Sequence, residues 1–169
     1  MIDLSRKLKN FGPLEFLVIS SLAYVIIMLI WTASTRSAVV QKANDIKFNH
    51  KTVVEFINNE INECSSNENG KTAWGENCNS AWTSSNIVKY ILDNFKLNNP
   101  YAIEKPLIQT SQDPRIQAEG KAGQSTDKGI IFVSESNFES EAGSEWVIGT
   151  CVKSPCVAAG NNELFSAYR

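Results

Sequence analysis

Residues 14–69 lack both glycine and proline, the two residues that most often end or kink a helix. A nearly continuous apolar run fills residues 14–31. Beyond it, residues that would share one helix face recur every three or four positions. That spacing is typical of an amphipathic helix. The positions on this face are Val39, Ala43, Ile46, His50, Val53, Ile57, Ile61 and Cys64. The sequence therefore predicts one uninterrupted helix, roughly 75 Å long, most of which lies in lipid or along other chains.

The chain also lacks an excess of positive charge, because 16 lysines and arginines face 18 aspartates and glutamates. The net charge of −2 offers no basic field to a nucleic acid. His50 is the only histidine, and it falls on the predicted helix face, where a packed side chain is more common than a catalyst. No glycine-rich phosphate loop, zinc motif or nucleophile motif occurs. We therefore expect no enzyme activity, no cofactor, no metal and no nucleic-acid partner.

Cysteine is scarce, and all four cysteines lie beyond the apolar run. An even number in that position indicates two disulfides in an oxidising compartment. We favour the pairs Cys64–Cys78 and Cys151–Cys156, because each closes a short loop. The two other connectivities and a four-cysteine zinc site are the alternatives. Thirteen residues separate Cys64 from Cys78, whereas zinc-binding pairs usually have about two to four residues between them, so the spacing favours disulfides.

The apolar stretch at residues 13–33 has the length of a membrane span, which needs about 20 mainly apolar residues. Arg6, Lys7 and Lys9 precede it, so the positive-inside rule places the N-terminus in the cytoplasm and the cysteines outside. The alternative is a cleavable signal peptide with its cut site near the small residues at 34–38.

These patterns divide the chain into four segments. Residues 1–12 form a short basic N-terminal segment, residues 13–34 the transmembrane half of the helix, residues 35–64 its amphipathic stem, and residues 65–169 a disulfide-stapled globular head. The part of the chain that follows the span is long enough for one modest hydrophobic core.

Glu15 is the only charged residue inside the apolar run. One interpretation is a favourable interaction with the helix dipole near the membrane surface, since Pro13 suits the first helical position. The other is a buried acid that needs a positive partner, because ionised groups within a membrane are costly and are usually paired. The chemistry of the residue alone leaves both interpretations open.

The head shows the signals of a small α+β fold. Residues 86–95 indicate a short helix that Ser84 or Ser85 caps, and residues 109–128 indicate a polar loop. β-branched and aromatic residues then predict three strands, at residues 129–134, 145–153 and 163–168. A frayed tail is the alternative for the last of these strands.

The start of the chain resembles type IV pilins and the related pseudopilins. In that family a basic leader ends at a cleavage site, a phenylalanine follows, and a glutamate lies four residues further along an apolar helix. Phe11 and Glu15 have this spacing, and Asn10–Phe11 stands at the position of the processing site. The resemblance implies an α+β fold in which a long N-terminal membrane-spanning helix continues into a stem and carries a small antiparallel-sheet head.

The resemblance also implies a function: a major, minor or pseudopilin-like structural subunit of a type IV pilus-like filament or secretion system. Glu15 is then the assembly residue, and the partners are other copies or pilin-like subunits that pack through the N-terminal helix. The expected location is the inner membrane, with a single span and a periplasmic head, or an extracellular filament. Some pseudopilin heads bind calcium with loop acids, but solvated charges are the favoured interpretation of Asp113, Glu119 and Asp127, whose spacing matches no EF-hand.

The sequence departs from the pilin pattern at one position, because Asn10 precedes Phe11 where pilins carry a glycine. A chain that is not cut there keeps its N-terminal segment. It would then be an uncleaved, single-span membrane-anchored binding module or an accessory subunit of a larger membrane complex. We keep this as the alternative function.

Overall fold

A computed structural model describes residues 12–120, 128–140 and 143–168. The chain divides into two compact units, an N-terminal unit (Met1–Gln41) and a C-terminal unit (Lys42–Arg169). The elements in chain order are α1 (Pro13–Ser66), α2 (Ser84–Asn94), β1 (Ile108–Thr110), α3 (Pro114–Glu119), β2 (Ile131–Ser140), β3 (Gly143–Cys151) and β4 (Asn162–Tyr168).

The first helix, α1, confirms the prediction of one uninterrupted helix and ends two residues beyond the predicted end at Cys64. Pro13 is its first residue, a position where the missing N–H of proline would have had no intrahelical acceptor. The helix continues to Ser66, just before the first glycine of the region, Gly70. An unbroken run of helix-compatible residues therefore produced an unbroken helix.

Within the C-terminal unit, one face of α1 is buried, and it is the face that the sequence pattern predicts. The buried positions on α1 are Ile46, Asn49, His50, Val53, Ile57, Ile61 and Cys64. They share one hydrophobic core with α2 and the sheet, whose contributions include Ile87, Ile91, Ile131 and Ile148. Val39, the first predicted position, lies in the N-terminal unit and is 40% exposed. The predicted helix face is therefore buried where α2 and the sheet cover it.

The sheet has four strands in the order β1-β2-β3-β4. The pairs β2–β3 and β3–β4 are antiparallel, but β1 runs parallel to β2, with Ile108 opposite Ile131. The expected antiparallel head is therefore wrong at this edge, and the fold is α+β with a mixed sheet. Parallel neighbours need a long crossover, and residues 111–130, which include α3, provide it.

Other expectations for the head are corrected in part. The predicted helix at residues 86–95 exists as α2, but Thr83 is its N-cap residue and makes no side-chain cap hydrogen bond, so neither Ser84 nor Ser85 caps it. Residues 109–128 are not wholly a polar loop, because they include most of β1 and all of α3. The three predicted strands all form, but β2 begins two residues later than predicted and continues six residues beyond the predicted end at Ser134. The last strand, β4, pairs with β3 over seven residues, which excludes a frayed tail there.

A close backbone approach positions α3 on the sheet. Gly149 of β3 lies under the start of this helix, where a Cβ atom would come within 2.6 Å of the Pro114 carbonyl oxygen. Asp113 caps α3 by accepting hydrogen bonds from the backbone N–H groups of Arg115 and Ile116. Gly120 ends the helix in the left-handed conformation, as glycine commonly does at this position.

Two disulfides close local loops in the C-terminal unit. Cys64 is bonded to Cys78, and Cys151 is bonded to Cys156, which is the pairing favoured from the sequence. The first bond joins the end of α1 to the loop that leads to α2. The second closes the turn between β3 and β4. No cysteine in the chain is free.

Candidate functional site

The apolar part of α1 exposes its side chains on every face. Over the part of the chain that the structure describes, this is the one helix long and apolar enough to cross a membrane. Its large exposed apolar residues are Leu14, Phe16, Leu17, Val18, Ile19, Leu22, Tyr24, Val25, Ile26, Ile27, Met28, Leu29, Ile30 and Trp31. A helix that is apolar all round is stable only in a lipid core or against other apolar surfaces. This surface is the candidate functional site of the N-terminal unit.

The hydroxyl groups along this surface are satisfied by the helix itself. The Ser20 hydroxyl donates to the Leu17 carbonyl at 3.0 Å, and the Ser21 hydroxyl donates to the Val18 carbonyl at 2.8 Å. Thr32 makes the same kind of bond to the Leu29 carbonyl at 3.0 Å. Such local bonds remove the cost of placing a hydroxyl in hydrocarbon. These hydroxyls therefore present no unmet hydrogen-bonding group to lipid.

Glu15 is the exception on this surface because it carries a charge. Its Oε2 accepts a hydrogen bond from the backbone N–H of Gly12 at 2.9 Å, so the carboxylate caps the first turn of α1. This contact is the favourable helix-end interaction that the first interpretation of Glu15 predicts. One carboxylate oxygen remains available, and no ion pair to Glu15 is formed within residues 12–120, 128–140 and 143–168.

The two residues named as a processing site, Asn10 and Phe11, lie outside the described residues. Gly12, which follows them, is described, and its backbone carbonyl accepts the N–H of Phe16 at 3.1 Å as α1 begins.

His50 lies on the buried face of α1 and not in a cleft. Its Nε2 is 3.2 Å from the carbonyl oxygen of Ile148 on β3. Burial lowers the pKa of the imidazole, while this carbonyl and the charge of Glu163 oppose the shift. Glu163 itself forms an ion pair with Lys47, 2.7 Å away. His50 thus joins the helix to the sheet as a neutral, packed residue.

The sequence analysis did not single out Glu76, which organises the loop closed by Cys64–Cys78. Its carboxylate accepts hydrogen bonds from the Trp74 indole N–H at 2.7 Å, the Thr83 backbone N–H at 3.1 Å and the Asn86 side-chain amide at 2.7 Å. Burial raises the pKa of Glu76, but these donors outweigh it and hold the pKa below its ordinary value. Sequence spacing carries no signal for donors that converge only after the loop has folded.

A second unpredicted contact is the ion pair between Arg115 of α3 and Glu145 of β3. The Glu145 side chain is only 9% exposed, so its charge needs this partner. Arg115 also donates to the Ser166 hydroxyl on β4 at 3.1 Å. One guanidinium therefore ties α3 to two strands.

The loop acids considered for calcium do not form a site among the described residues. Asp113 is occupied as the cap of α3, Glu119 ends the same helix, and Asp127 lies outside the described residues. Where the chain is described, no group of three histidine, cysteine, aspartate or glutamate side chains is arranged to hold a metal ion.

The chain matches no protein-family model, no curated protein and no solved structure. Its function therefore has to be inferred from its own residues and their geometry.

Proposed function

We propose that this protein is a structural subunit of a type IV pilus-like filament or secretion system, and that it assembles through its N-terminal helix. The observation that carries the proposal is the apolar surface of α1, which is exposed on all sides and bears a single acid at its start. A span of this length also suits an anchor, but in an assembling chain the acid in the first turn has a second use, because the contact to Gly12 leaves one carboxylate oxygen for a partner chain.

Assembly uses the two parts of α1 differently. In the membrane, residues 13–34 are surrounded by lipid, which supplies no hydrophobic drive for helices to associate. During assembly these segments leave the lipid and pack against one another. Burial of apolar surface away from water then holds the bundle together outside the membrane. In the C-terminal unit, the bond from Cys64 to Cys78 fastens the loop that precedes α2 to the end of α1.

Glu15 sets the position of each subunit in this bundle. An ionised carboxylate that is buried without a partner costs several kcal/mol, so each Glu15 needs a cation from a neighbouring chain. That cation is the N-terminal amine if the leader is removed at Asn10–Phe11. It is Lys9 or Arg6 of a neighbour if the leader stays. The contact to Gly12 uses one oxygen and leaves the other for this partner.

The alternative function is a permanent tether: an uncleaved, single-span binding or accessory subunit of a larger membrane complex. Asn10 in place of the usual glycine favours it. The hydrogen bond between Glu15 and Gly12 also favours the tether. A carboxylate that caps its own helix is less costly in a helix without partner chains than a carboxylate that makes no hydrogen bond.

The test of assembly is the Glu15→Ala variant in the native host, with Glu63→Ala on the exposed side of the same helix as the matched control. We expect Glu15→Ala to abolish incorporation into sheared filaments or cross-linked multimers, and Glu63→Ala to leave it unchanged. Non-reducing peptide mapping of both disulfides confirms that each variant is folded. A normal filament yield from Glu15→Ala contradicts the assembly role.

The mass of the native N-terminus distinguishes the two functions. A chain that begins at Phe11 supports processing and assembly, whereas a chain that keeps residues 1–10 in every cellular fraction supports the tether.

A further inference from the structure

Strand β4 forms one edge of the four-stranded sheet, and among the strands that the structure describes it pairs only with β3. The opposite edge, β1, has three residues and contacts α2. The seven residues of β4 pair with β3 without a register shift, so its outer side carries a regular row of backbone groups. The edge at β4 is therefore the longer and more regular of the two.

Two hydrogen bonds near the end of β3 show which way the backbone groups of the sheet point. The Cys151 carbonyl accepts from the N–H of Gly129, in the segment that leads into β2, at 2.9 Å. The next residue, Val152, donates its N–H to the Asn161 carbonyl, on the side of β4, at 2.8 Å. Successive residues of a strand direct their backbone groups to alternate sides. The even-numbered residues of β3 therefore point to β4, and the odd-numbered ones point to β2.

The same alternation divides the residues of β4 into two sets. Glu163, Phe165 and Ala167 lie opposite even-numbered residues of β3, so their backbone groups bond to β3. The other set points outward: Asn162, Leu164, Ser166 and Tyr168. No other backbone group in the described part of the chain bonds to the outward N–H and carbonyl groups. The edge thus presents a row of donors and acceptors on which another strand can pair.

The centre of β4 lacks the features that usually protect a sheet edge. Such edges are commonly blunted by lysine, proline, a bulge or another charged side chain. Residues 164–168 contain no charged residue and no proline. The one charge within Asn162–Tyr168 is that of Glu163, which is paired with Lys47 at 2.7 Å. The edge therefore carries nothing that would keep a second strand away.

Two exposed apolar side chains lie along this edge, two residues before and two residues after Ser166. Leu164 is 42% exposed, and Tyr168 is 59% exposed. Because alternate residues share a face, both lie on the face where Arg115 donates to the Ser166 hydroxyl. The Tyr168 hydroxyl donates to the Glu145 side chain at 3.4 Å, which ties the ring to β3. Both apolar side chains are thus placed beside the outward backbone groups.

This symmetry identifies the partner as β4 of a second copy. In an antiparallel pair centred on Ser166, Leu164 of one copy lies opposite Tyr168 of the other, and the contact occurs twice. The same register brings outward backbone groups against outward backbone groups, since residues 164, 166 and 168 all belong to the outward set. An axis at Phe165 would instead place each of these apolar side chains opposite a polar one.

We propose that two copies of this chain dock by antiparallel pairing of their β4 strands about a two-fold axis at Ser166, which joins the two sheets into one. Each copy uses its β4 edge once, so the contact is closed and yields dimers. The contact involves only the C-terminal unit. It therefore goes beyond assembly through α1, and it applies equally to a filament subunit and to a permanent tether.

Backbone amide exchange tests the pairing residue by residue, with the full chain in detergent micelles at low and high ratios of protein to micelle. We expect the amides of Leu164, Ser166 and Tyr168 to exchange about tenfold more slowly at the high ratio, because pairing supplies their acceptors. The amides of Phe165 and Ala167 bond to β3 within one chain and should be slow at both ratios. Exchange of the first three amides that does not depend on the ratio overturns the proposal.

Cysteine cross-linking tests the register. In the proposed pair the two Ser166 Cα atoms are about 5.5 Å apart, which is within the range of a disulfide. Ser85, an exposed serine on α2, is the matched control position. We expect Ser166→Cys to give at least about fivefold more disulfide-linked dimer on mild oxidation than Ser85→Cys. Equal yields from the two variants overturn the proposal.

A second pair of substitutions, made in the Ser166→Cys chain, tests the apolar contact. Leu164→Lys should reduce the cross-link to the level of the Ser85→Cys control, because a lysine at the edge opposes strand pairing. Val157→Lys, at a residue that is 68% exposed in the turn between β3 and β4, should leave the cross-link unchanged. Peptide mapping of the two native disulfides confirms that each variant is folded. A cross-link that survives Leu164→Lys contradicts the pairing.

Glu15→Ala separates this contact from assembly through α1. The cross-link at Ser166→Cys should persist when Glu15→Ala is added, whether or not filaments are lost. A cross-link that disappears with Glu15→Ala would show that α1 alone brings the two chains together, and it would overturn the docking of β4.

Discussion

The two halves of α1 are helical for the same local reason, but their side chains lie in opposite environments. Apart from Pro13 at the first helical position, both lack glycine and proline, and both are helical from end to end. In the first half, Ile27 is 61% exposed and every face is apolar, whereas in the second half Ile57 is fully buried on a single face. Backbone propensity therefore decides whether a helix forms, and the polar residues between the apolar ones decide which environment the helix needs.

The largest effect that separates the halves is expected from matched isoleucine truncations. Ile57→Ala leaves a cavity in a closed core and should lower the free energy of unfolding of the C-terminal unit by about 3–4 kcal/mol. Ile27→Ala removes the same atoms from an exposed surface and should leave that free energy unchanged. Urea unfolding of the full chain in micelles, followed by tryptophan fluorescence, measures both. Equal losses would contradict the independence of the two halves.

The two disulfides are expected to contribute unequally to the free energy of unfolding of the C-terminal unit. The Cys64–Cys78 bond closes the longer loop, with a sequence separation of 14 residues against 5 for Cys151–Cys156. Loop entropy predicts a loss of about 3 kcal/mol when the first pair is replaced by serines and about 2 kcal/mol for the second. Unfolding of the two double-serine variants under the same conditions gives the order, and the reverse order would show that the loop lengths do not control the effect.

Two glutamates provide a smaller contrast, because each accepts a hydrogen bond near the start of a helix. Glu76→Gln weakens three contacts in the C-terminal unit and should cost about 1 kcal/mol at neutral pH, a low value because the carboxylate is partly exposed. The pKa of Glu76 is lowered on folding, so the wild-type advantage should begin to decline as the pH falls below the ordinary value of 4.5 and should be lost as the pH falls through the folded-state pKa. Glu15→Gln should leave this unfolding curve unchanged at every pH.

The smallest effect is the pH dependence that His50 contributes on the buried face. Burial lowers its pKa from 6.5, so the unfolded chain binds a proton at a higher pH than the folded chain does. Stability should therefore be complete above pH 6.5 and decline as the pH falls below it. His50→Gln removes the titration and should flatten this decline, whereas Lys51→Gln, one residue away on the exposed face, should retain it. Unfolding midpoints at several pH values make the measurement.

Much of the architecture was readable from local pattern. The absence of glycine and proline from residues 14–69 predicted α1. The spacing from Ile46 to Cys64 predicted its buried face, and short apolar runs predicted β2, β3 and β4. The cysteine spacing favoured the pairs that the structure contains. Each of these signals lies within a few neighbouring residues, so no knowledge of distant contacts was needed.

Other features had no local signal. The three residues of β1 are too few to show an alternating pattern, and their parallel pairing depends on a crossover whose path the sequence does not specify. The contact between Arg115 and Glu145 spans thirty residues, and that between Tyr101 and Val152 spans fifty-one. For the candidate site, Glu15 was identified from its place in the apolar run, but its hydrogen bond to Gly12 required the coordinates.

Composition and periodicity were therefore sufficient to predict the helix, its apolar surface and the cysteines that form a disulfide at its end. Helix formation and apolar exposure are properties of contiguous segments. The folded chain alone decided the strand direction at β1, the donors that surround Glu76 and the approach of Lys42 and Lys128 to the Tyr101 ring. The physical reason is that these contacts join residues far apart in the chain, and their energies exist only after the entropy of closing the intervening loops has been overcome.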